Sequence, residues 1–334
     1  MENFGVIICT CKFDFFLAKG CVASVRQAMG EVPITLFIDD DLEASAFARH
    51  YNVRLMYRHE VRDPWLRTMN TGWGLPKMTL LWESPYENFL YLDCDTIVWG
   101  DVRQAHLHPF DADIIIDPGD VFSRPWAPGV GTDERIAKEY FNPKIMEEVF
   151  PAFPWKKYRE KLFCTGVFAA KRNCLSLNVY RRIFEARQPH PGLFSPSAEM
   201  PLLNFLIFEA EERGEVQVRR APIQVVCEQD NQDFLRRTFH LNSSGPETSP
   251  PTPTVLHFTE PKPLAASPGF NAPMQYFREK CARDYSKIPS FLTGLYTRLE
   301  ELEWRMRVSY RRNFGGWHAR IRGAISRLLN RNSR

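Results

Sequence analysis

Apolar and polar residues alternate in blocks from the start of the chain. Gly5 to Cys11 is apolar and closes on Lys12 and Asp14. Lys19 to Met29 has helical features, and Pro33 to Ile38 is a second apolar run closed by Asp39, Asp40 and Asp41. Short apolar runs separated by helical stretches predict strand, helix, strand, the opening of a parallel sheet covered on both faces. Leu42 to Tyr51 predicts a helix and Val53 to Tyr57 a strand. Arg62 to Pro76 predicts a loop, Lys77 to Trp82 a helix, and Asn88 to Leu92 a buried strand. Farther on, Asp113 to Asp117 and Phe163 to Ala170 predict strands, Pro201 to Ala210 a helix, and Val255 to Phe258 a last strand. Pro118 to Asp133 predicts a Pro/Gly loop suited to a lid. Asn242 to Thr254 is a low-complexity loop. The fold class is therefore α/β: a mostly parallel, Rossmann-like central sheet flanked by helices, with a helical C-terminal extension. The division expected is residues 1–285 for the main domain and 286–334 for the extension.

In such sheets ligands gather at the carboxyl ends of strands. The strand Asn88 to Leu92 runs straight into Asp93-Cys94-Asp95. Two carboxylates at the end of an apolar strand cost free energy unless something positive sits between them. A hard divalent cation, Mg²⁺ or Mn²⁺, takes oxygen ligands and leaves positions for phosphate oxygens. Bridging a diphosphate, it acts as a Lewis acid on a departing nucleotide. Two other readings stand beside this one. A DxD pair is a common capping or solvated feature. The run LDCDTIV also shares part of the aspartyl-nucleophile motif of haloacid-dehalogenase-type phosphatases, but Thr96 comes one position early and the motif stands some ninety residues into the chain.

Composition narrows the class. Charged residues make up 25% of the chain and aromatics 13%, so a packed core is expected and global disorder is not. The 8 Cys form no CxxC pair and no framework spacing, which predicts reduced thiols. No stretch approaches the roughly 20 apolar residues of a membrane span, and the acidic start Met1-Glu2-Asn3 does not open as a signal peptide does. The net charge of +3 is uneven: Arg305 to Arg334 holds nine Arg and no acid, which leaves the first 304 residues near −6. A globally basic nucleic-acid binder would spread its basic residues over a face of the fold, so no nucleic-acid partner is expected.

The segment YLDCDTIVWGDV resembles the DxD segment, roughly hhYLDxDhhhhxD, of family-eight glycosyltransferases, which are retaining enzymes of the GT-A fold. Three more segments follow in the family's order. Phe163-Cys164-Thr165-Gly166-Val167 is similar to its F-N-S/T-G-V, with Cys164 in place of Asn. Glu199 to Asn204 stands where D-Q-D-x-L-N is common, keeping only an acid and the Asn. His257 to Pro263 is similar to H-Y/F-x-G-x-x-K-P-W, without the Gly, one residue shorter, and with Leu264 for the Trp. The resemblance is that of a distant member and spans roughly residues 5 to 265. It implies Asp93, Asp95 and His257 as metal ligands and Lys262 on the diphosphate. An imidazole ligand favours Mn²⁺ over Mg²⁺, and a Lys near phosphates acts as a point charge. Lys77 falls near a basic donor-binding position of the family. Thr10 and Cys11, at the end of the first strand, are expected to meet the nucleotide base through their backbones, with a UDP-sugar as donor by resemblance. Glu199 is the candidate on the reaction face, as transient stabiliser or acceptor contact; a charge favoured at a helix N-terminus is its plain alternative.

Two apolar patterns mark the extension. Leu292, Leu295, Leu299, Leu302 and Met306 follow 3-4-3-4 spacing, a seam that docks on the body or builds a homodimer. Beyond Gly315-Gly316, Trp317, Ile321, Ala324, Ile325 and Leu328 share one helical face, with Arg320, Arg327 and Arg331 elsewhere around it, which fits a helix lying on an anionic membrane; a solvated basic tail and a nucleic-acid contact are the alternatives. The expectation is a cytoplasmic enzyme, peripheral on the inner face of a membrane, moving a hexose to a glycan or lipid-linked acceptor. The competing functions are a nucleotidyltransferase or phosphatase using Asp93 and Asp95, and a non-catalytic membrane-binding protein of degenerate fold.

Overall fold

The structure is a computed structural model that describes residues 3–72, 74–118, 133–195, 199–247, 252–259 and 262–310. The expected lid over 118–133 and the apolar face over 317–328 lie almost wholly, and wholly, outside the described residues.

The strands in chain order are β1 (Phe4–Thr10), β2 (Ile34–Ile38), β3 (Val53–Tyr57), β4 (Asn88–Asp93), β5 (Thr96–Trp99), β6 (Ile114–Ile116), β7 (Val167–Lys171), β8 (Val218–Arg220), β9 (Gln224–Cys227), β10 (Leu241–Asn242), β11 (Gly245–Pro246) and β12 (Thr254–Phe258). The helices are α1 (Phe15–Met29), α2 (Ser45–Tyr51), α3 (Pro64–Met69), α4 (Pro76–Glu83), α5 (Asp133–Glu139), α6 (Pro143–Val149), α7 (Trp155–Tyr158), α8 (Leu177–Ala186), α9 (Glu199–Glu212), α10 (Gln232–Thr238) and α11 (Ala272–Asp284). Residues 293–310 are also helical.

The main sheet has the order β3-β2-β1-β4-β7-β6-β8. Strands β3, β2, β1 and β4 are parallel, and β7 runs antiparallel to both β4 and β6. The expected mostly parallel α/β sheet is present. A smaller sheet, β5-β12-β9, lies beside it. Alternation along β4 sends its residues into two cores, as the period of a strand requires. Leu90 and Leu92 pack with α1, β5 and β12. Phe89 and Tyr91 pack with α4, α8 and α9. Asp93 is two residues on from Tyr91 and so falls on the α4 and α9 side.

Three expectations are corrected. The stretch from Arg62 to Pro76 is not all loop, because Asp63 caps α3: its Oδ1 accepts from the amides of Trp65 (2.9 Å) and Leu66 (3.0 Å), with Pro64 at the first helical position. The strand expected from Phe163 begins only at Val167. The 163–166 stretch is held as a loop by Asn204, which accepts from the Phe163 amide (3.0 Å) and donates to its carbonyl (2.9 Å).

The third concerns the terminal helix. It docks on α1 and α11, but by the face opposite its leucine seam. Glu301 pairs with buried Arg278, and the Arg278 Nη2 donates to the carbonyl of Thr297 (2.8 Å). Glu300 meets Lys19 at 2.6 Å. This polar network, with Trp304 against Phe16, sets the rotation of the helix, and the seam is left outside. Among the described residues no helix is long and apolar enough to cross a membrane.

Candidate metal and donor site

Cys9 on β1 stands in register with Asp93 on β4, so the carboxyl ends of the two central strands meet. The chain then turns at Cys94 and Asp95 into β5. Strand β12 runs antiparallel to β5 with His257 opposite Thr96, and the amide of Phe258 donates to the carbonyl of Asp95 (3.0 Å). That register alone carries His257 to the turn, 162 residues along the chain from Asp95.

The His257 Nε2 lies 3.7 Å from Asp93 Oδ2 and 3.6 Å from Asp95 Oδ1. One ligand atom from each of the three side chains falls within 4.8 Å of the others. Asp95 is 5% exposed and His257 4%. The donor set, two carboxylates and one imidazole, is of the kind that holds a divalent cation. The other ring nitrogen, Nδ1, is 3.5 Å from the thiol of Cys164. Partners of this kind fix which ring nitrogen faces a metal. Gly166 supports the ring from below: a Cβ there would stand 2.0 Å from the His257 Cε1. Gln224 holds the Cys164 carbonyl (2.6 Å), so this loop is pinned on both sides.

Two lysines serve the two carboxylates. Lys262 donates to Asp95. Lys77, 1% exposed, donates to Asp93 Oδ2 (3.1 Å) and to the carbonyl of Thr165 (3.3 Å). Its Nζ is 3.6 Å from Glu199 Oε1. The Tyr91 hydroxyl donates to the other oxygen of Asp93. Gly74 makes room for Glu199: its φ is +76° and a Cβ there would lie 2.5 Å from the Glu199 Cδ.

Burial opposes the charge of Lys77, but Asp93 and then Glu199 outweigh it and hold the ammonium above the ordinary lysine range. Burial likewise opposes the charged form of Asp95, and Lys262 and His257 reverse it, leaving its carboxyl below the usual carboxylate value. Burial pushes the carboxyl of Glu199 up, with Lys77 pulling the other way. For His257 burial favours the neutral ring, but Cys164, Asp95 and Asp93 together raise it to about 9.

The structure thus gathers Asp93, Asp95, His257, Lys262, Lys77 and Glu199 into one cluster. Thr10 and Cys11 sit beside it at the end of β1. Their carbonyls are already engaged, Thr10 by the amide of Asp39 (3.0 Å) and Cys11 by those of Asp14 (3.1 Å) and Phe15 (3.0 Å). Residue-by-residue reading of the sequence does not find Tyr91, Asn204 as a loop anchor, Gln224 or the pairing of Cys164 with His257. The signals in the sequence are the period-2 spacing of Tyr91 to Asp93 and the place of Asn204 in the Glu199 to Asn204 segment.

No protein-family model matches the chain, and no curated protein matches it. Solved structures do match. The galactosyltransferase LgtC, solved in complex with donor and acceptor sugar analogues, aligns over 87% of this chain and 99% of its own, at 14% identity and a TM-score of 0.50. The fold is GT-A. An active-site mutant of LgtC gives the same coverage, 15% identity and a TM-score of 0.50. The bifunctional glycosyltransferase WbbM aligns over 85% of this chain at 13% identity and a TM-score of 0.50, and there the chain spans about half, 51%, of the longer protein.

Proposed function

We propose that this GT-A protein is a metal-dependent hexosyltransferase that takes a sugar from a UDP-linked donor, with retention, and gives it to a glycan or lipid-linked acceptor. The observation that carries the reading is the convergence of Asp93, Asp95 and His257 at the ends of β1 and β4, with Lys262 on the same carboxylate. LgtC, which was solved with donor and acceptor sugar analogues, shares the fold, and this supports reading the same strand ends as a donor site.

Asp93, Asp95 and His257 Nε2 would hold the cation. One nitrogen among oxygens favours Mn²⁺ over Mg²⁺. Bound there, it supplies Lewis-acid stabilisation of charge on the departing diphosphate. The other roles fall to the chain itself. Cys164 keeps Nε2 turned to the carboxylates. Lys262, 28% exposed at its side chain, is placed to exchange Asp95 for a phosphate oxygen as a compact positive charge. Lys77 is buried and its donors are turned on Asp93, Thr165 and Glu199. It acts as a positioning residue that neutralises the two acids, in place of the donor contact expected of it. Glu199, at the N-terminus of α9, faces the reacting sugar as transient stabiliser or acceptor contact. Thr10 and Cys11 border the base through backbone groups at the end of β1, with both carbonyls already engaged. The Arg-rich segment beyond residue 310 would bring the enzyme to an anionic membrane, cytoplasmic and peripheral, where a lipid-linked acceptor is found.

Calorimetric titration with a panel of nucleotide sugars, with and without Mn²⁺, tests donor and metal together. The expected outcome is Mn²⁺-dependent binding of a UDP-sugar, abolished by Asp95→Asn. Absence of nucleotide affinity across the panel, or turnover of a nucleoside triphosphate or phosphomonoester instead, would sink the proposal.

A further inference from the structure

The helix over 293–310 docks by a face of Thr293, Thr297, Glu301 and the half-buried Trp304, and leaves its leucines outside. Thr293, Thr297 and Glu301 are 1%, 1% and 3% exposed, whereas Leu295, Leu299, Leu302 and Met306 are 57%, 55%, 54% and 60% exposed. An amphipathic helix ordinarily turns its apolar stripe to the core. Here the ion pairs of Arg278 and Lys19 fix the opposite rotation. The stripe that remains outside, continued by Leu292, has intervals of 3 and 4 residues. This is the narrow seam of a two-stranded coiled coil, with Leu292, Leu299 and Met306 at a and Leu295 and Leu302 at d.

The flanks of the seam carry information about what covers it. Arg298 and Arg305 occupy g, while Glu303 and Tyr310 occupy e. In a parallel pair of helices, each g residue meets the e residue five positions on in the other chain. Arg298 then meets Glu303, and Arg305 meets the ring of Tyr310. An antiparallel pair would set g against g, Arg298 against Arg305. Neither arginine has an acidic partner among the described residues, whereas Glu303 is paired with Arg307 one turn on and would share its carboxylate with Arg298 of the second copy. A helix lying on anionic lipid would carry cations along both flanks, and Glu303 stands on one of them. We propose that the helix over 293–310 pairs, parallel and in register, with the same helix of a second copy of this chain. The clamp on the body already holds the helix formed, so a short seam does not also bear the cost of helix nucleation. Two heptads remain a small interface, and pairing is expected to depend on concentration across the micromolar range.

Sedimentation velocity on the full chain reads this directly. The mass should double as concentration rises through the micromolar range. Leu295→Glu with Leu302→Glu should give a monomer with unchanged melting and unchanged metal binding, since both positions are exposed. Arg298→Glu and Glu303→Arg should each weaken association by about fivefold, the size expected of two exposed ion pairs. The double exchange should restore it. A monomer at every concentration, a dimer indifferent to the two leucine substitutions, or a double exchange no better than the singles would overturn the proposal. So would a monomeric chain that binds phosphatidylglycerol/phosphatidylcholine vesicles and loses that binding in the leucine variant, because the seam would then serve lipid.

Discussion

Gly166 lies beneath His257 so closely that the smallest side chain placed there would collide with the imidazole, its Cβ 2.0 Å from the ring Cε1. The approach leaves the ring one position, with Nδ1 on Cys164 and Nε2 on the two aspartates. Gly166→Ala should therefore displace a metal ligand without touching one. The expected loss of Mn²⁺ affinity is at least about tenfold, the size of effect seen when support behind a ligand is lost. Calorimetry checks it, and an Ala variant with native affinity would contradict the arrangement.

Removing Cys164 should act in the same direction and more mildly. Cys164→Ala deletes the only side-chain hydrogen-bond partner of Nδ1 among the described residues. Metal affinity should fall by about tenfold, while Cys164→Asn, which offers an amide oxygen, should recover most of it. If Asn behaves no better than Ala, the thiol contact does not orient the ring.

The raised pKa of His257 makes both the stability of the fold and its metal affinity depend on pH. The folded pKa, about 9, stands above the ordinary 6.5, so the charged ring stabilises the metal-free fold. That contribution is complete below 6.5 and is lost as pH rises through about 9. Mn²⁺ needs the neutral ring, so its affinity should climb across the same window. Thermal melts in a chelator and titrations with Mn²⁺ should slope in opposite directions from pH 6.5 to 9, and His257→Asn should flatten both.

Lys77 is the buried counter-charge of two acids, and its loss should be felt as stability. Lys77→Met leaves Asp93 and Glu199 facing each other without the ammonium. The expected cost is about 3 kcal/mol, the low end for a broken buried pair, since both carboxylates keep some solvent. Adding Glu199→Gln should return part of it, because the raised Glu199 carboxyl is relieved by neutralisation. Chemical denaturation of the two singles and the double separates this coupling from simple additivity.

At the other end of the molecule, Arg278→Met should release the terminal helix. Arg278 is 2% exposed and joins Glu301, Glu300 and the Thr297 carbonyl. Leaving Glu301 buried without its partner should cost about 3–5 kcal/mol locally. Hydrogen exchange should speed up over 293–310 and leave β1 and β4 protected.

Much of the sheet could be read from the chain because parallel strands, buried on both faces, are continuous apolar runs. Val53–Tyr57 coincides with its expected bounds, and Asn88–Asp93 differs by one residue. The edges of the site were harder. Asp63-Pro64 announces α3, but the Gly and Asn around it give the stretch the pattern of a loop. The contact between Cys164 and His257 depends on β12 pairing with β5, and Lys77 meets Glu199 across 122 positions of sequence. Local patterns carry neither. The leucine seam was visible as a period, but its rotation follows from Arg278 and Lys19, which lie on other helices.

One tether joins the loop after β1 to the helix over 293–310. The loop after β1 is held by Asp40, whose Oδ2 accepts from the Lys12 amide (2.8 Å), and by Arg307, whose Nη1 donates to the Lys12 carbonyl (3.2 Å). The rim of the proposed donor pocket is thus fastened by a residue near the far end of the chain. A shortened form that stops before residue 293 would retain every proposed ligand yet free one side of that rim. A shortened form that ends just after Tyr310 sheds most of the Arg-rich segment and keeps the fastening. Trimming the basic tail and loosening the nucleotide rim are therefore separable operations, and the cut site decides which is performed.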